Sequence, residues 1–253
     1  MAIKDFIENT AVFTRTELLA AAGDSQTNLN LLSEAVGSGR VRRVTRNVYV
    51  SDSGRYRAAE ASPYLVADKL GEGVVFNYSS ALNILVGLHN VTGQISLYSD
   101  VSRRKTIEFL GKVYIQYPRP EYLAVRTHAL PSQQMITLTD KEQTMVDCLA
   151  HPERCGGLES FLRSVSALNF IDPDHLLDLI RPESASVRAR CGWLLDTMDA
   201  RWSVPSDVLD RIRATLGHGP YYFEGKRTST AGWVGKWRLY LPAPVSEVEG
   251  WLE

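Results

Sequence analysis

The amino-acid sequence predicts a mixed α/β protein of the α+β kind. An N-terminal winged helix-turn-helix is followed by a larger mixed α/β C-terminal domain. Three patterns predict it. Apolar residues recur at helical spacing up to Val36; valines then flank a turn-prone Thr45-Arg46-Asn47; and beyond residue 60 short β-rich runs alternate with helical segments. The expected divisions are 1–58 for the winged helix, 59–157 for an α/β subdomain, and 158–253 for a helical subdomain closed by a strand.

Ile3, Phe6 and Ile7 are spaced for one face of a first helix. A second helix opens at a polar cap, Thr14 or Thr16, and Thr14 with Glu17 fits a capping box. It stops at Gly23, the residue suited to a left-handed C-cap. A third helix is capped by Asp24 or Ser25 and runs to about Val36. Two helices joined by a tight Gly-containing turn make a helix-turn-helix. At 100° per residue Leu29, Leu32, Ala35 and Val36 share the inner side of the third helix. Gln26, Thr27, Asn30, Ser33 and Glu34 lie on the outer side, with Asn28 closer to the buried one. Val41, Val44, Val48, Tyr49 and Val50 then predict two short strands, a hairpin placed as a wing.

Charge points to a partner for this module. The whole chain carries a formal net charge of −1, yet six arginines (40, 42, 43, 46, 55 and 57) fall in one short stretch against the single acid Asp52. A tightly basic segment in a near-neutral protein is suited to a polyanion. Amide side chains can pair with adenine in the major groove and threonine can touch the thymine methyl. Gln26, Thr27 and Asn30, at the start of the third helix, are therefore the expected base readers. Arg40, Arg42, Arg43 and Arg46 are expected on the phosphates, with Arg15 and Ser33 as additions. Phosphate contacts supply affinity without sequence choice.

Beyond residue 60 the elements continue. Helices are expected over Pro63–Leu70 and Ser79–Leu88. Strands are expected at Val74–Tyr78, Ile95–Asp100, Arg103–Phe109 and Lys112–Tyr117, with a further edge at Ile136–Leu138. Thr139 and Glu142 fit a capping box for a helix running to about Ala150. Helices over 158–168, 174–180, 185–198 and 206–216 follow, with prolines near their starts. The tail is aromatic and basic. Lys226, Arg227, Lys236 and Arg238 are a possible second nucleic-acid surface, although Trp233 and Trp237 beside them read more simply as core aromatics.

The segment from Phe13 to Leu18 with Ala22-Gly23, and the run from Leu32 through Tyr49, resemble the N-terminal domain of AbiEi-family antitoxins of type IV toxin–antitoxin systems, first described in abortive phage infection. Pro63 to Ala67, the helix around Ser80-Ala81-Leu82, Thr139 to Leu149 and Cys155 to Glu159 extend the resemblance to the family's C-terminal region. The family carries Gly before the wing tyrosine where this chain has Asn47-Val48; Asn also tolerates a left-handed turn. The resemblance implies a repressor that binds repeats in its own promoter as double-stranded operator DNA. It also implies a larger domain that opposes a nucleotidyltransferase-like toxin, with no direct contact required.

Other classes find little support. No apolar run is long enough to span a bilayer and no leader is legible at the start, so a cytoplasmic location is expected. Cys148, Cys155 and Cys191 are odd in number with no C-x-x-C pair, which argues against a disulfide framework or a zinc site. The histidines at 89, 128, 151, 175 and 218 have no metalloprotease spacing, no phosphate loop follows a strand, and Ser79-Ser80 is no nucleophile elbow. Asp140 and Asp147 share a helix face that could seat a metal, but Asp140 and Glu142 suit a helix N-terminus and Asp147 a paired structural carboxylate. No enzyme, metal or cofactor is expected. The alternatives are a winged-helix-targeted enzyme acting on nucleic acid, such as a nuclease or base-modifying protein, and a stand-alone regulator of mobile-element genes.

Overall fold

The computed structural model describes residues 2–59, 61–87, 93–131, 133–223 and 232–253. The chain forms two compact units, one from residues 1–76, 90–122 and 127–137, the other from 77–89, 123–126 and 138–253. These interleave along the sequence, whereas the expected divisions at 58 and 157 follow chain order.

The first unit begins with helix α1 (Ile3–Asn9), strand β1 (Val12–Thr14), helices α2 (Arg15–Ala22) and α3 (Gln26–Gly37), and strands β2 (Val41–Arg43) and β3 (Val48–Ser51). The strands form an antiparallel sheet of order β1-β3-β2. Ile3, Phe6 and Ile7 of α1 are buried with Phe13, Leu18, Leu32, Ala35, Val41 and Tyr49 in one core. Phe6 meets Phe13 edge-on, and Phe13 stacks on Tyr49 with ring centroids 5.8 Å apart. β1 was not expected as a strand. It has three residues, and its pairing Val12↔Val50, Phe13↔Tyr49, Thr14↔Val48 is set by a partner distant in sequence.

Helix α4 (Pro63–Asp68) starts with Pro63 at its first turn, and strand β4 (Val75–Phe76) follows. Helix α5 (Tyr78–Leu85) belongs to the second unit. Strands β5 (Gln94–Ser99), β6 (Lys105–Phe109), β7 (Lys112–Pro118), β8 (Val125–Ala129) and β9 (Met135–Thr139) complete a six-stranded sheet of order β6-β7-β5-β4-β9-β8. β6 folds back on β7 antiparallel, and β7 lies parallel to β5. The strand around Ile136 was expected at an edge, but β9 is internal and β8 takes the edge. Val125, Arg126, Thr127 and Ala129 of β8 are exposed, so that strand lacks the apolar alternation that would betray it.

The second unit is mainly helical, with α6 (Lys141–Ala150), α7 (Leu158–Val165), α8 (Pro173–Ile180), α9 (Ala185–Thr197), α10 (Asp199–Trp202) and α11 (Ser206–Ala214). The α6 cap is Asp140, whose carboxylate accepts from Gln143 N–H, and not the expected Thr139. Thr139 is the last, buried residue of β9, and its hydroxyl lies 2.6 Å from that of Thr144. Glu142 accepts instead from Asp172 N–H at 2.7 Å. Asp172 and Ser184 cap α8 and α9.

The tail does not form the single closing strand expected. Two-residue strands β10 (Tyr221–Tyr222), β11 (Trp233–Val234) and β12 (Leu239–Tyr240) make a small sheet of order β10-β12-β11 before a last helix, α12 (Val245–Glu249). Gly235–Trp237 is a 3-10 turn. Trp237 is fully buried, and a Cβ placed on Gly192 would lie 2.1 Å from its ring. Trp233, expected in the core as well, is 40% exposed. Cys148, Cys155 and Cys191 are buried free thiols. Among the described residues no helix is long and apolar enough to cross a membrane.

Candidate nucleic-acid interface

The start of α2 and the turn between α2 and α3 are each fixed by side-chain hydrogen bonds. Thr14 accepts from Glu17 N–H, and the Glu17 carboxylate accepts from Thr14 N–H at 2.7 Å, which completes the capping box. Glu17 also receives Lys69 Nζ at 2.5 Å. Burial raises the Glu17 pKa, but the Lys69 and Thr14 hydrogen bonds outweigh it and hold the carboxyl below its ordinary value. Gly23 has φ 98° and ψ 138°, so φ is positive but the conformation is not the left-handed helical one expected. Asn28 compensates by donating to the Ala22 and Gly23 carbonyls at 2.9 and 2.8 Å. Ser25, one of the two expected caps, accepts from Asn28 N–H. Asn28 thus closes the turn and is half-buried.

On α3, Leu32 and Ala35 are buried and Leu29 and Val36 half-buried, while Gln26, Thr27, Asn30, Ser33 and Glu34 are exposed. Gln26 Nε2 donates to Asn30 Oδ1 at 3.0 Å, so the two amides one turn apart hold each other in register.

The hairpin is closed by Thr45. Its hydroxyl accepts from Asn47 N–H and Val48 N–H at 3.2 Å each. Asn47 was expected to supply a left-handed conformation, but it is absent from the positive-φ residues described; the Thr45 hydroxyl does the work of a tight turn. Tyr49 donates its hydroxyl to the Arg46 carbonyl, and Arg15 N–H donates to the Asn47 carbonyl at 2.8 Å. That last bond ties the hairpin tip to the start of α2 and carries Arg15 alongside Arg46.

A cleft of about 300 Å³ results, lined by Arg15, Leu29, Leu32, Ser33, Val36, Arg43, Arg46 and Tyr49. Its floor is apolar, its rim carries three guanidinium groups, and no carboxylate lines it. Of the residues expected at phosphates, Arg15, Ser33, Arg43 and Arg46 come together here.

Arg40 and Arg42 are placed elsewhere. Strand alternation puts Arg43 opposite Tyr49 and Arg42 opposite Val50, on the reverse face. Arg42 donates from Nε and Nη2 to Asp52 at 3.1 and 2.5 Å. Ala58 N–H and then Arg42 hold the Asp52 carboxyl below its ordinary value. Arg40 donates to Ser38 at 3.0 Å and to Glu34 at 3.3 Å. Arg55 bonds the Asn9 carbonyl and lies over the Tyr56 ring. The basic segment is therefore divided: Arg40 and Arg42 are tied to nearby acids and Arg55 to a carbonyl, while Arg46 and Arg43, the latter donating to the Thr45 carbonyl at 3.0 Å, line the cleft.

Of the expected second basic surface, two residues are described and both bond within the chain. Lys226 and Arg227 lie outside the described residues. Lys236 pairs with Asp196 at 2.7 Å, and Arg238 donates to the Gly217 carbonyl. Trp237 donates to the same Asp196 carboxylate at 2.9 Å.

Among the described residues one His–carboxylate group has metal-ligating atoms within 4.8 Å of one another, namely Asp140, Glu142 and His175. The sequence pointed to Asp140 with Asp147; in the structure Asp147 accepts from Gln143 at 2.8 Å. The triad's atoms are engaged structurally. Asp140 caps α6 and meets His175 Nε2 at 2.9 Å, and Glu142 accepts from the Asp172 backbone. The Asp140 hydrogen bond is the main cause that lifts the His175 pKa above its ordinary value.

Residues 1–51 match the family model described as "Transcriptional regulator, AbiEi antitoxin". The fold is similar to the crystal structure of the RV2827C protein from Mycobacterium tuberculosis, with a TM-score of 0.64 at 15% identity, covering 97% of this chain and 91% of that one. No match is found among curated proteins. The matched segment comprises α1 to β3, the elements that build the cleft, and the match supports a transcriptional-regulator role.

Proposed function

We propose, from the AbiEi match over residues 1–51, that the chain is a sequence-specific DNA-binding transcriptional repressor. In this reading it acts as the antitoxin of a type IV toxin–antitoxin operon. It autoregulates its promoter and opposes a nucleotidyltransferase-like toxin without needing to touch it. The observation that carries the DNA reading is the cleft between α3 and the β2–β3 hairpin, which gathers Arg15, Arg43 and Arg46 on the same module as the exposed Gln26, Thr27 and Asn30. The hairpin acts as the wing of a winged helix and holds phosphates. The helix N-terminus reads base edges, where amide side chains and hydroxyls match the donor and acceptor code of the major groove. Operator repeats would recruit more than one copy, because one winged helix has a small footprint. The chain performs no catalysis in this reading.

The test is a gel-shift titration on the DNA upstream of the chain's own gene, at two salt concentrations, against a scrambled duplex. Tight, salt-sensitive binding that prefers the promoter supports a repressor. Equal binding to both duplexes, or none, rejects it. A nucleotidyltransferase gene immediately downstream supports the antitoxin part, and its absence favours a stand-alone regulator.

A further inference from the structure

The outward surface of α3 carries one large apolar residue that neither core nor cleft uses. Leu31 is 38% exposed, and the core of this unit is filled from α3 by Leu32 and Ala35 with Val36 packed beside them. At 100° per residue the exposed surface of α3 divides into three rows. Ser33 lies toward the hairpin and lines the cleft. Gln26, Asn30 and Glu34 form a central row; the two amides are tied to each other, and Glu34 accepts from Arg40 at 3.3 Å. Thr27 and Leu31, four residues apart and therefore neighbours on the helix surface, form the row on the flank away from the hairpin. Both are exposed. The Thr27 methyl and the Leu31 isobutyl group thus make an apolar strip beside a polar one.

The edges of base pairs in the major groove are polar with a single apolar exception, the C5-methyl of thymine. An apolar strip flanking amides that suit adenine is matched to that group. We propose that Leu31, supported by the Thr27 methyl, contacts a thymine methyl and so fixes a T·A pair beside the pair read by Gln26 and Asn30. This rests on the DNA reading above. No bond is made or broken; the gain is the burial of one methyl group against a leucine, which corresponds to about a fourfold change in affinity. The same contact would accept 5-methylcytosine, which presents the same methyl at the same place.

The test uses the full chain and its promoter duplex, with each thymine in turn replaced by deoxyuridine, which removes only the methyl. Wild type, Leu31→Ala and Thr27→Ser are titrated on each duplex. The expected result is one or two positions where uracil weakens wild-type binding about fourfold. Leu31→Ala should bind the thymine duplex as weakly as wild type binds the uracil one, and no longer distinguish the two. Thr27→Ser should lie between. If the wild type prefers its promoter yet ignores every thymine-to-uracil replacement, the Leu31 assignment is overturned and the repressor reading stands. Full thymine discrimination by Leu31→Ala also overturns it. If the wild type shows no promoter preference, the repressor reading fails and Leu31 falls with it. The uracil series on wild type needs no variant, so it decides the matter even if Leu31→Ala folds poorly.

Discussion

Arg42 and Asp52 are joined by a 2.5 Å hydrogen bond from Nη2 to Oδ2, on the face of β2 turned away from the cleft that holds Arg43. Adjacent arginines in a basic run therefore have different electrostatic duties. Arg43→Ala is expected to weaken all DNA sequences about equally and to lower the slope of log affinity against log salt by about one unit, the contribution of one phosphate contact. Arg42→Ala should change that slope less, since its charge is already offset. Titrations at several salt concentrations check both, and equal slopes for Arg43→Ala and wild type would sink the wing assignment.

Asn28 and Asn30 should separate folding from reading. Asn30→Ala removes an exposed amide and is expected to cost roughly 1–3 kcal/mol of promoter binding with relaxed sequence choice. Asn28→Ala removes two hydrogen bonds that close the α2–α3 turn. It should lower the unfolding free energy by about 1–3 kcal/mol, with promoter preference retained in the folded fraction. Denaturant melts alongside gel shifts distinguish the two effects.

His175 gives the second unit a pH dependence of definite sign. Its folded pKa is raised, chiefly by the Asp140 hydrogen bond, so folding favours the protonated form. The associated stability is fully present below the unfolded value near 6.5 and is lost as pH rises through the folded value. The pair is partly exposed, so its worth is within the roughly 1 kcal/mol of such ion pairs. Thermal melts from pH 5 to 8 on wild type and His175→Gln check this; the variant should show a flatter profile over that range.

Gly192→Ala tests the packing of α9. An added Cβ would lie 2.1 Å from the buried Trp237 ring, which is itself held through Nε1 by Asp196. Overpacking of this kind costs about 1–3 kcal/mol or more. A melting temperature unchanged from wild type would show that Trp237 moves freely, contrary to its burial.

Local chemistry made much of the N-terminal unit legible. The Thr14–Glu17 box, the Ser25 cap and the valine alternation of the hairpin each rest on residues within a few positions of one another. β1 escaped because a three-residue strand is defined by a partner distant in the sequence, and β8 because its exposed residues carry no apolar alternation. The same limit explains the α6 cap, since only the sheet places Thr139 inside a strand and hands the role to Asp140. At the candidate site, the sequence grouped Arg40, Arg42, Arg43 and Arg46 by proximity along the chain. It could not foresee that pleating alternates them, or that Glu34 and Asp52 claim two of them. Arg15 was legible only as an addition; the bond from its N–H to Asn47 is what brings it to the hairpin.

The interleaving of the two units bears on how this protein can be dissected or rebuilt. The chain passes back and forth between them, so no single cut yields two fragments that each hold a whole unit. A one-crossover gene fusion that swapped everything after residue 76 would also remove strands β5, β6 and β7 from the first unit. Recombination that keeps both units whole must therefore exchange several segments together, and the two units are expected to diversify by point substitution more readily than by shuffling.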